Sequence, residues 1–173
     1  MFQTTNLSGF GSAGGACTGQ TLIAQGAGTE IGDMGFGAAG AAFDGTTSQA
    51  AHDGVSRTNA GQVDGWIGKD WGAGVTKTVN GVKVWGSSNA GYWSAAPTVV
   101  LELYGSNSAP SNSTDGTLIK TLDTFTDTNV TDARDYTGDT FDTDTAYRYH
   151  WLRIDGSTTD FAYLAELEFY ECT

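Results

Sequence analysis

The sequence predicts an all-β fold, either a sandwich or a barrel, from its turn dipeptides and its short apolar segments. Asp-Gly and Asn-Gly pairs, which tolerate the positive φ angles of tight turns, recur from residue 44 to residue 156. Between them lie short segments rich in β-branched and aromatic residues, and none shows a capped 3.6-residue apolar period. Short strands with frequent turns are typical of β-sandwiches and barrels.

Individual strands follow from alternation and from the position of the turns. Residues 98–104 alternate most clearly, with an apolar side chain at every second position. Residues 75–85 predict a hairpin whose turn is Asn80-Gly81. The Asp- and Thr-rich segment 123–145 predicts a long loop with one edge strand. Further strands are predicted over residues 22–24, 117–122, 147–155 and 161–170.

The composition and charge of the chain limit its partners. The 173 residues are 39% hydrophobic and include 5 Trp, 7 Tyr and 8 Phe, which is enough for one packed core. Lys and Arg number 8 against 20 Asp and Glu, giving a net charge of -12. Such a surface repels phosphate backbones and anionic lipid, so we expect no nucleic-acid partner. No apolar run reaches about 18 residues, so no membrane insertion is expected.

The two ends of the chain differ from the middle. Residues 1–40 are rich in Gly, Ala, Ser and Thr. We interpret them as an arm that docks on a partner or wraps the domain formed by residues 41–173; a loop-rich start of the fold is the alternative. The first residues lack a basic segment and an apolar core, so no secretion signal is predicted. Cys17 and Cys172 have no metal-binding spacing, and they either form a disulfide or stay unpaired.

Five segments from residue 41 onward occur in an order known from one protein family. They are Ala42–Ser48 (AFDGTTS), Trp66–Gly72 (WIGKDWG), Leu101–Ser106 (LELYGS), Tyr147–Ile154 (YRYHWLRI) and Leu164–Tyr170 (LAELEFY). This order resembles the discoidin family, or coagulation factor 5/8 type C domains, and the related galactose-binding-like modules such as carbohydrate-binding modules of family 32. The resemblance implies an eight-stranded jelly-roll β-sandwich with ligand loops at one end. Many members link their ends by a disulfide, which suits Cys17 and Cys172.

The resemblance also implies a structural calcium ion between the Asp-Gly loop and the last strand. Asp44 and Glu166 would supply carboxylate oxygens. Neutral oxygens would come from the loop residues Phe43, Thr46, Thr47 and Ser48. The alternative is that Asp44 only caps a turn. In one departure from the family pattern, Lys69 stands where an apolar residue is usual.

The sugar site predicted from this resemblance combines aromatic faces with planar polar side chains that reach hydroxyl groups. Three candidates follow the Asp-Gly loop: His52, Arg57 and Asn59. Tyr92 and Trp93, between two predicted strands, are the preferred stacking platform, and Trp71 replaces the family's usual Leu. For each aromatic residue the alternative is a core position, which is the position we expect for Trp66, Trp85 and Trp151.

No motif in the sequence predicts catalysis. It has no Gly-x-Ser-x-Gly, His-Glu-x-x-His or P-loop motif, and His150 is predicted to be a structural residue in a strand. We therefore predict a non-catalytic carbohydrate-binding module that acts in adhesion to a cell-surface glycan.

The location and the rival functions follow from the same features. The lack of a predicted secretion signal and the arm 1–40 favour a virion surface protein, such as a head or tail fibre protein. An extracellular location is the alternative. Many copies, or a homo-oligomer, would make weak individual binding strong. One rival is a virion decoration or connector protein that contacts other virion proteins through residues 1–40 and binds no glycan. The other is a binding module of a secreted glycoside hydrolase.

Overall fold

The described part of the chain forms strands connected by loops, together with one short helix. The computed structural model describes residues 19–37, 40–47, 55–59, 61–86, 98–125, 133–139, 141, 145–156 and 162–172. Within these residues a 3-10 helix covers Ala41–Phe43. The strands are β1 Gln20–Leu22, β2 Thr29–Gly32, β3 Phe36–Gly37, β4 Ser56–Arg57, β5 Gly65–Asp70, β6 Val79–Trp85, β7 Val99–Ser106, β8 Thr117–Phe125, β9 Arg134–Asp135, β10 Tyr149–Asp155, β11 Tyr163–Leu164 and β12 Glu166–Cys172.

Two large sheets and one small sheet make up the described part of the fold. The larger has the order β2-β5-β10-β7-β8, and the second has the order β1-β12-β6-β9. The strands β11, β4 and β3 form a small third sheet. All pairs between these strands are antiparallel. The predicted all-β sandwich is thus confirmed, including β9 as the expected edge strand within residues 123–145.

The core lies between the two large sheets, and alternation decides which side chains enter it. Val99, Leu101 and Leu103 of β7 are each 0% exposed, as the pattern of residues 98–104 predicts. They belong to one cluster with apolar side chains of the opposite sheet, among them Val82 and Leu167. Burial of such side chains is the main favourable term in folding.

A second, aromatic cluster covers the outer face of the five-stranded sheet. It consists of Trp66, Tyr104, Tyr149 and Trp151, with Ile31 packed against it. Trp66 and Trp151 are buried as expected, but in this outer cluster and not between the sheets. Trp85 is partly buried and packs against a third cluster beside the small sheet.

The predicted hairpin over residues 75–85 is wrong, because Asn80 and Gly81 lie inside the continuous strand β6. Gly81 pairs with Tyr170, next to a register shift in β12. A Cβ atom on Gly81 would lie 2.6 Å from Oε1 of Gln20 and 3.0 Å from Cβ of Tyr170. The glycine therefore permits a close approach within the sheet and does not form a turn.

Much of the predicted N-terminal arm belongs to the sandwich. Residues 20–37 supply three strands: β1 pairs with β12, β2 pairs with β5, and β3 pairs with β4. Residues 1–18, including Cys17, lie outside the described residues. Cys172 is disulfide-bonded, and its pairing with Cys17 stays a prediction. None of the described segments contains a helix long and apolar enough to cross a bilayer.

Candidate functional site

The Asp-Gly loop and the start of β12 meet at one pole of the sandwich. The backbone N–H of Gly45 donates a hydrogen bond of 3.1 Å to Oε2 of Glu166. Oδ1 of Asp44 accepts a 2.7 Å hydrogen bond from the N–H of Thr46, which closes the loop. The structure thus brings together Asp44 and Glu166, the two carboxylates that the family resemblance places at one calcium site. We call Asp44, Gly45, Thr46 and Glu166 the acidic pole.

Glu166 is a buried carboxylate at this pole. Its side chain is 0% exposed, and Oε1 accepts a hydrogen bond from Nε2 of Gln25. Burial raises the pKa of Glu166 to about 7, and the negative charge of Asp44 adds to the rise, while the N–H of Gly45 opposes it. Ionised Glu166 would therefore be stabilised by a cation beside it.

A buried lysine partly offsets the negative charge beneath the acidic pole. Lys69 is 6% exposed, its Nζ donates to the carbonyl of Gln25 at 3.0 Å, and it lies 4.0 Å from the centre of the Phe43 ring. Burial lowers the pKa of Lys69, while Glu30 and Glu166 oppose that change. Burial raises the pKa of Glu30, whose Oε2 is buried without a hydrogen-bond partner. One ammonium group therefore lies near two carboxylates, those of Glu30 and Glu166.

The donor atoms at the acidic pole fit a hard cation such as calcium. Carboxylates, backbone carbonyls and hydroxyl groups are the ligand types that calcium takes. Among the described residues there is no group of three or more His, Cys, Asp and Glu side chains that could hold a metal. Any ion here would thus depend on backbone and hydroxyl oxygens of the loop Phe43–Thr47 as well. Ser48, the last predicted ligand, lies outside the described residues.

An exposed aromatic ring and a guanidinium group lie side by side on the small sheet. Arg57 of β4 is directly opposite Phe36 of β3 in the strand pairing, so both side chains point to the same face. The Phe36 side chain is 50% exposed. Asn59, two residues after Arg57, is exposed as well. We call Phe36, Arg57 and Asn59 the Phe36–Arg57 surface.

The backbone under this surface is held firmly. Thr58, between Arg57 and Asn59, is buried, and its N–H donates to the carbonyl of Ala162 at 3.1 Å. The N–H of Ala162 donates back to Oγ1 of Thr58 at 2.9 Å. Nη1 of Arg57 donates to the carbonyl of Thr58 at 3.3 Å. Arg57 and Asn59 thus project from a fixed segment, as a binding surface requires.

Trp71 does not reach any binding surface. It is 7% exposed, donates from Nε1 to Nδ1 of His150 at 2.8 Å, and meets Phe169 edge-on at 5.9 Å between ring centres. This burial contradicts its prediction as a stacking platform, and Trp71 is a core residue. The other predicted ligand residues, His52, Tyr92 and Trp93, lie outside the described residues.

A cavity of about 640 Å³ opens on the outer side of the five-stranded sheet. Its lining comes from three separate parts of the chain: residues 32–33, 61–66 and 111–113. Neither this outer-face cavity nor Phe36 was predicted from the sequence. In the sequence, the polar run Ser111-Asn112-Ser113 is typical of any surface loop and does not by itself indicate a cavity.

Comparisons with known proteins identify the fold and leave the family open. No protein-family model matches the sequence, and no curated protein is similar to it. Solved structures do share its fold. A family 32 carbohydrate-binding module of C. perfringens NanJ, in complex with galactose, has a TM-score of 0.62 at 18% identity and covers 88% of this chain and 99% of its own.

Two further solved structures give the same result. A fucolectin from the serum of striped bass, Morone saxatilis, has a TM-score of 0.59 at 15% identity, with 88% of this chain and 48% of that chain covered. A family 32 module from Clostridium perfringens, in complex with GalNAc-β-1,3-galactose, has a TM-score of 0.58 at 15% identity, with 86% and 99% covered. The chain therefore has the galactose-binding-like β-sandwich fold of discoidin-type modules.

Proposed function

We propose that this protein is a non-catalytic carbohydrate-binding module whose Phe36–Arg57 surface binds a glycan. The observation that carries the proposal is the exposed Phe36 ring beside the Arg57 guanidinium. An aromatic ring packs against the apolar face of a pyranose, and a planar guanidinium donates to its hydroxyl groups. Similar folds that were solved with galactose or GalNAc-β-1,3-galactose support a galactose-type ligand.

Two substitutions test this surface, with glycan-array screening followed by titration calorimetry against the strongest galactosyl ligand. Phe36→Ala removes the stacking ring, and Arg57→Ala removes the donors to hydroxyl groups. We expect each to weaken binding by about tenfold or more, because each lost contact contributes roughly 1–3 kcal/mol. Leu118→Ala is the matched control, since Leu118 is also exposed, at 45%, and lies on β8.

The outcomes separate the function from the site. Leu118→Ala should bind like the wild type, and all three variants should keep the wild-type melting temperature. If the wild type binds no glycan, the proposed function is wrong. If it binds a galactosyl glycan and both Phe36→Ala and Arg57→Ala retain that binding, the function stands and the Phe36–Arg57 surface is the wrong site. Release of sugar fragments by the wild type would contradict the non-catalytic assignment.

We also propose that the acidic pole holds a structural calcium ion. Asp44 and Glu166 would bind it together with neutral oxygens of residues 43–48, and the ion would balance the charge of Glu166, whose ionised form burial disfavours. The contact between Gly45 and Glu166 supports this proposal because it places the loop directly against the buried carboxylate. A bound ion would fix the loop to β12 and so stabilise the fold.

Thermal unfolding tests the calcium proposal. Saturating Ca²⁺ should raise the melting temperature of the wild type by about 5–10 °C over EDTA, the effect of binding at roughly 100 times the Kd. Asp44→Asn should abolish the rise. Asp139→Asn should retain it, because Asp139 lies elsewhere and pairs with Lys120. An equal rise in wild type and Asp44→Asn would refute the site.

We further propose that the module is displayed on a virion surface. Weak binding by a single module becomes strong when many copies face a glycan-bearing cell, which a virion provides. Mass spectrometry of purified particles from a culture that makes this protein is the direct test. If the protein is absent from the particles and is instead found with a glycoside hydrolase in the culture medium, the extracellular alternative is favoured.

A further inference from the structure

The outer-face cavity lies beside the Phe36–Arg57 surface but opens over a different sheet. Asn59 of that surface is linked to Gln62 of the cavity lining, because the N–H of Gln62 donates to the carbonyl of Asn59 at 3.1 Å. At about 640 Å³ the cavity falls within the size of small-molecule ligand sites, roughly 300–1,000 Å³. The cavity is therefore large enough to hold a sugar ring.

The cavity has a rigid aromatic base. Trp66, which lines it, meets Trp151 edge-on at 5.8 Å between ring centres. Tyr104 stacks on the other side of Trp151 at 5.7 Å. Nε1 of Trp151 donates to the carbonyl of Ser113 at 2.8 Å, which fixes the loop that forms one wall. The shape of the cavity is thus set before any ligand enters, which lowers the entropic cost of binding.

The polar groups of the cavity suit a ligand with several hydroxyl or amine groups. Asp33 is held in place by the N–H of Trp66 at 2.8 Å and by Nε2 of Gln62 at 3.0 Å. Asp64 accepts from the N–H of Gly156 at 2.9 Å. Each carboxylate has about four lone-pair sites, so both can accept further hydrogen bonds. Asn112, from another part of the lining, adds an amide group.

The charge of the cavity selects among sugars. No Lys or Arg is present among its described lining residues, which include the carboxylates of Asp33 and Asp64. The nearby cation Arg153 is already paired with Glu102 at 2.7 Å and with Asp155. Acidic sugars would be repelled here, whereas a protonated amine would find acceptors of opposite charge.

We infer that the outer-face cavity is a second sugar subsite, one that binds an amine-bearing pyranose such as a glucosamine unit of a cationic polysaccharide. This inference rests on the proposed carbohydrate-binding function and names a ligand class for a separate site. The sugar ring enters the cavity, where the largely buried Trp66 forms part of the base and is not a stacking platform. Gln62 and Asn112 contact its hydroxyl groups, and the ammonium group lies between Asp33 and Asp64.

Titration calorimetry with a glucosamine oligosaccharide tests the subsite, with the fully N-acetylated oligosaccharide of equal length as the matched probe. The wild type should bind the amine form about tenfold more tightly, and added salt should weaken that preference. Asp64→Asn keeps the acceptor for Gly156 but removes the charge, and should weaken amine binding about fivefold. Gln62→Arg adds a competing cation at the cavity and should remove the preference. Asp139→Asn removes an equal charge elsewhere and should bind normally.

The outcomes distinguish this inference from the proposed function. Equal binding of the amine and acetylated probes, or amine binding unchanged in both Asp64→Asn and Gln62→Arg, overturns the subsite. If galactosyl binding is lost in Phe36→Ala while the amine preference persists, both sites stand as proposed. If no galactosyl glycan binds but Asp64→Asn weakens amine binding as expected, the subsite stands and the Phe36–Arg57 site is overturned.

Discussion

His150 is a histidine that the fold keeps neutral. It is 0% exposed, Nδ1 accepts a hydrogen bond from Nε1 of Trp71, and Nε2 is buried without a partner. Burial lowers the pKa of His150 to about 3 from an unfolded value of 6.5. The unfolded chain therefore binds a proton below pH 6.5 that the folded chain does not bind until about pH 3. This difference makes folding sensitive to mild acid.

We predict that the contribution of His150 is fully present above pH 6.5 and is lost as the pH falls. The loss should be about 1.4 kcal/mol per pH unit, or roughly 2 kcal/mol at pH 5. Urea unfolding of the wild type and of His150→Gln across this range measures it, because Gln does not titrate and can still accept from Trp71. The free energies of unfolding of the two proteins should converge as the pH falls. Parallel curves would contradict the prediction.

Single residues differ in how far the sequence could reveal them. The meeting of Asp44 with Glu166 was predictable because both lie in motifs whose order resembles a known family. Phe36 was missed because the glycine- and alanine-rich segment around it has no period that marks a strand. Trp71 was misassigned because it follows β5 directly, where a loop residue and a core residue give the same local pattern.

Alternation of apolar residues predicts strands correctly here, whereas a turn dipeptide predicts a turn wrongly. Alternation identified β7, because every second side chain of that strand must enter the core. Asn80-Gly81 gave the signal of a hairpin turn, yet Gly81 serves the close packing of β6 on β1 and β12. A short dipeptide cannot distinguish these two uses of glycine, because the difference depends on neighbours that are distant in sequence.

The close approach of β5 to β10 can be tested by substituting a glycine between them. Gly68 lies opposite Trp151, and a Cβ atom there would lie 2.0 Å from the carbonyl oxygen of His150 and 2.6 Å from Cβ of Trp151. Gly68→Ala should therefore separate the central strands and cost about 3 kcal/mol or more in the free energy of unfolding. Chemical denaturation measures the loss.

Gly26→Ala is the control for that experiment, since a Cβ atom on Gly26 meets nothing within 4 Å. It should be neutral or stabilise by up to about 1 kcal/mol, through lower entropy of the unfolded chain. If both alanine variants keep wild-type stability, the tight contact between β5 and β10 is contradicted.

For the whole molecule, the order of motifs was enough to predict the fold but not the ligand. Sandwich geometry depends on strand patterns that run through most of the chain, so many weak signals add up. The binding surfaces depend on a few side chains that meet only after folding, such as residues 61–66 with residues 111–113 in the outer-face cavity. Similar folds carry unrelated sites, so chemistry at the surface must be tested directly.

We predict that a disulfide bond links the two ends of the chain. Cys172 closes β12 and is disulfide-bonded, and Cys17 is the other cysteine of the sequence. A bond between them would enclose about 150 residues, and a loop of that size restricts the unfolded chain strongly, giving roughly 2–4 kcal/mol of stability. Non-reducing peptide mapping should find the Cys17–Cys172 peptide, and Cys172→Ser should lower the melting temperature by about 5–15 °C. The reducing agent that lowers the wild-type value should leave Cys172→Ser unchanged; an equal effect on both would show that the bond does not staple the ends.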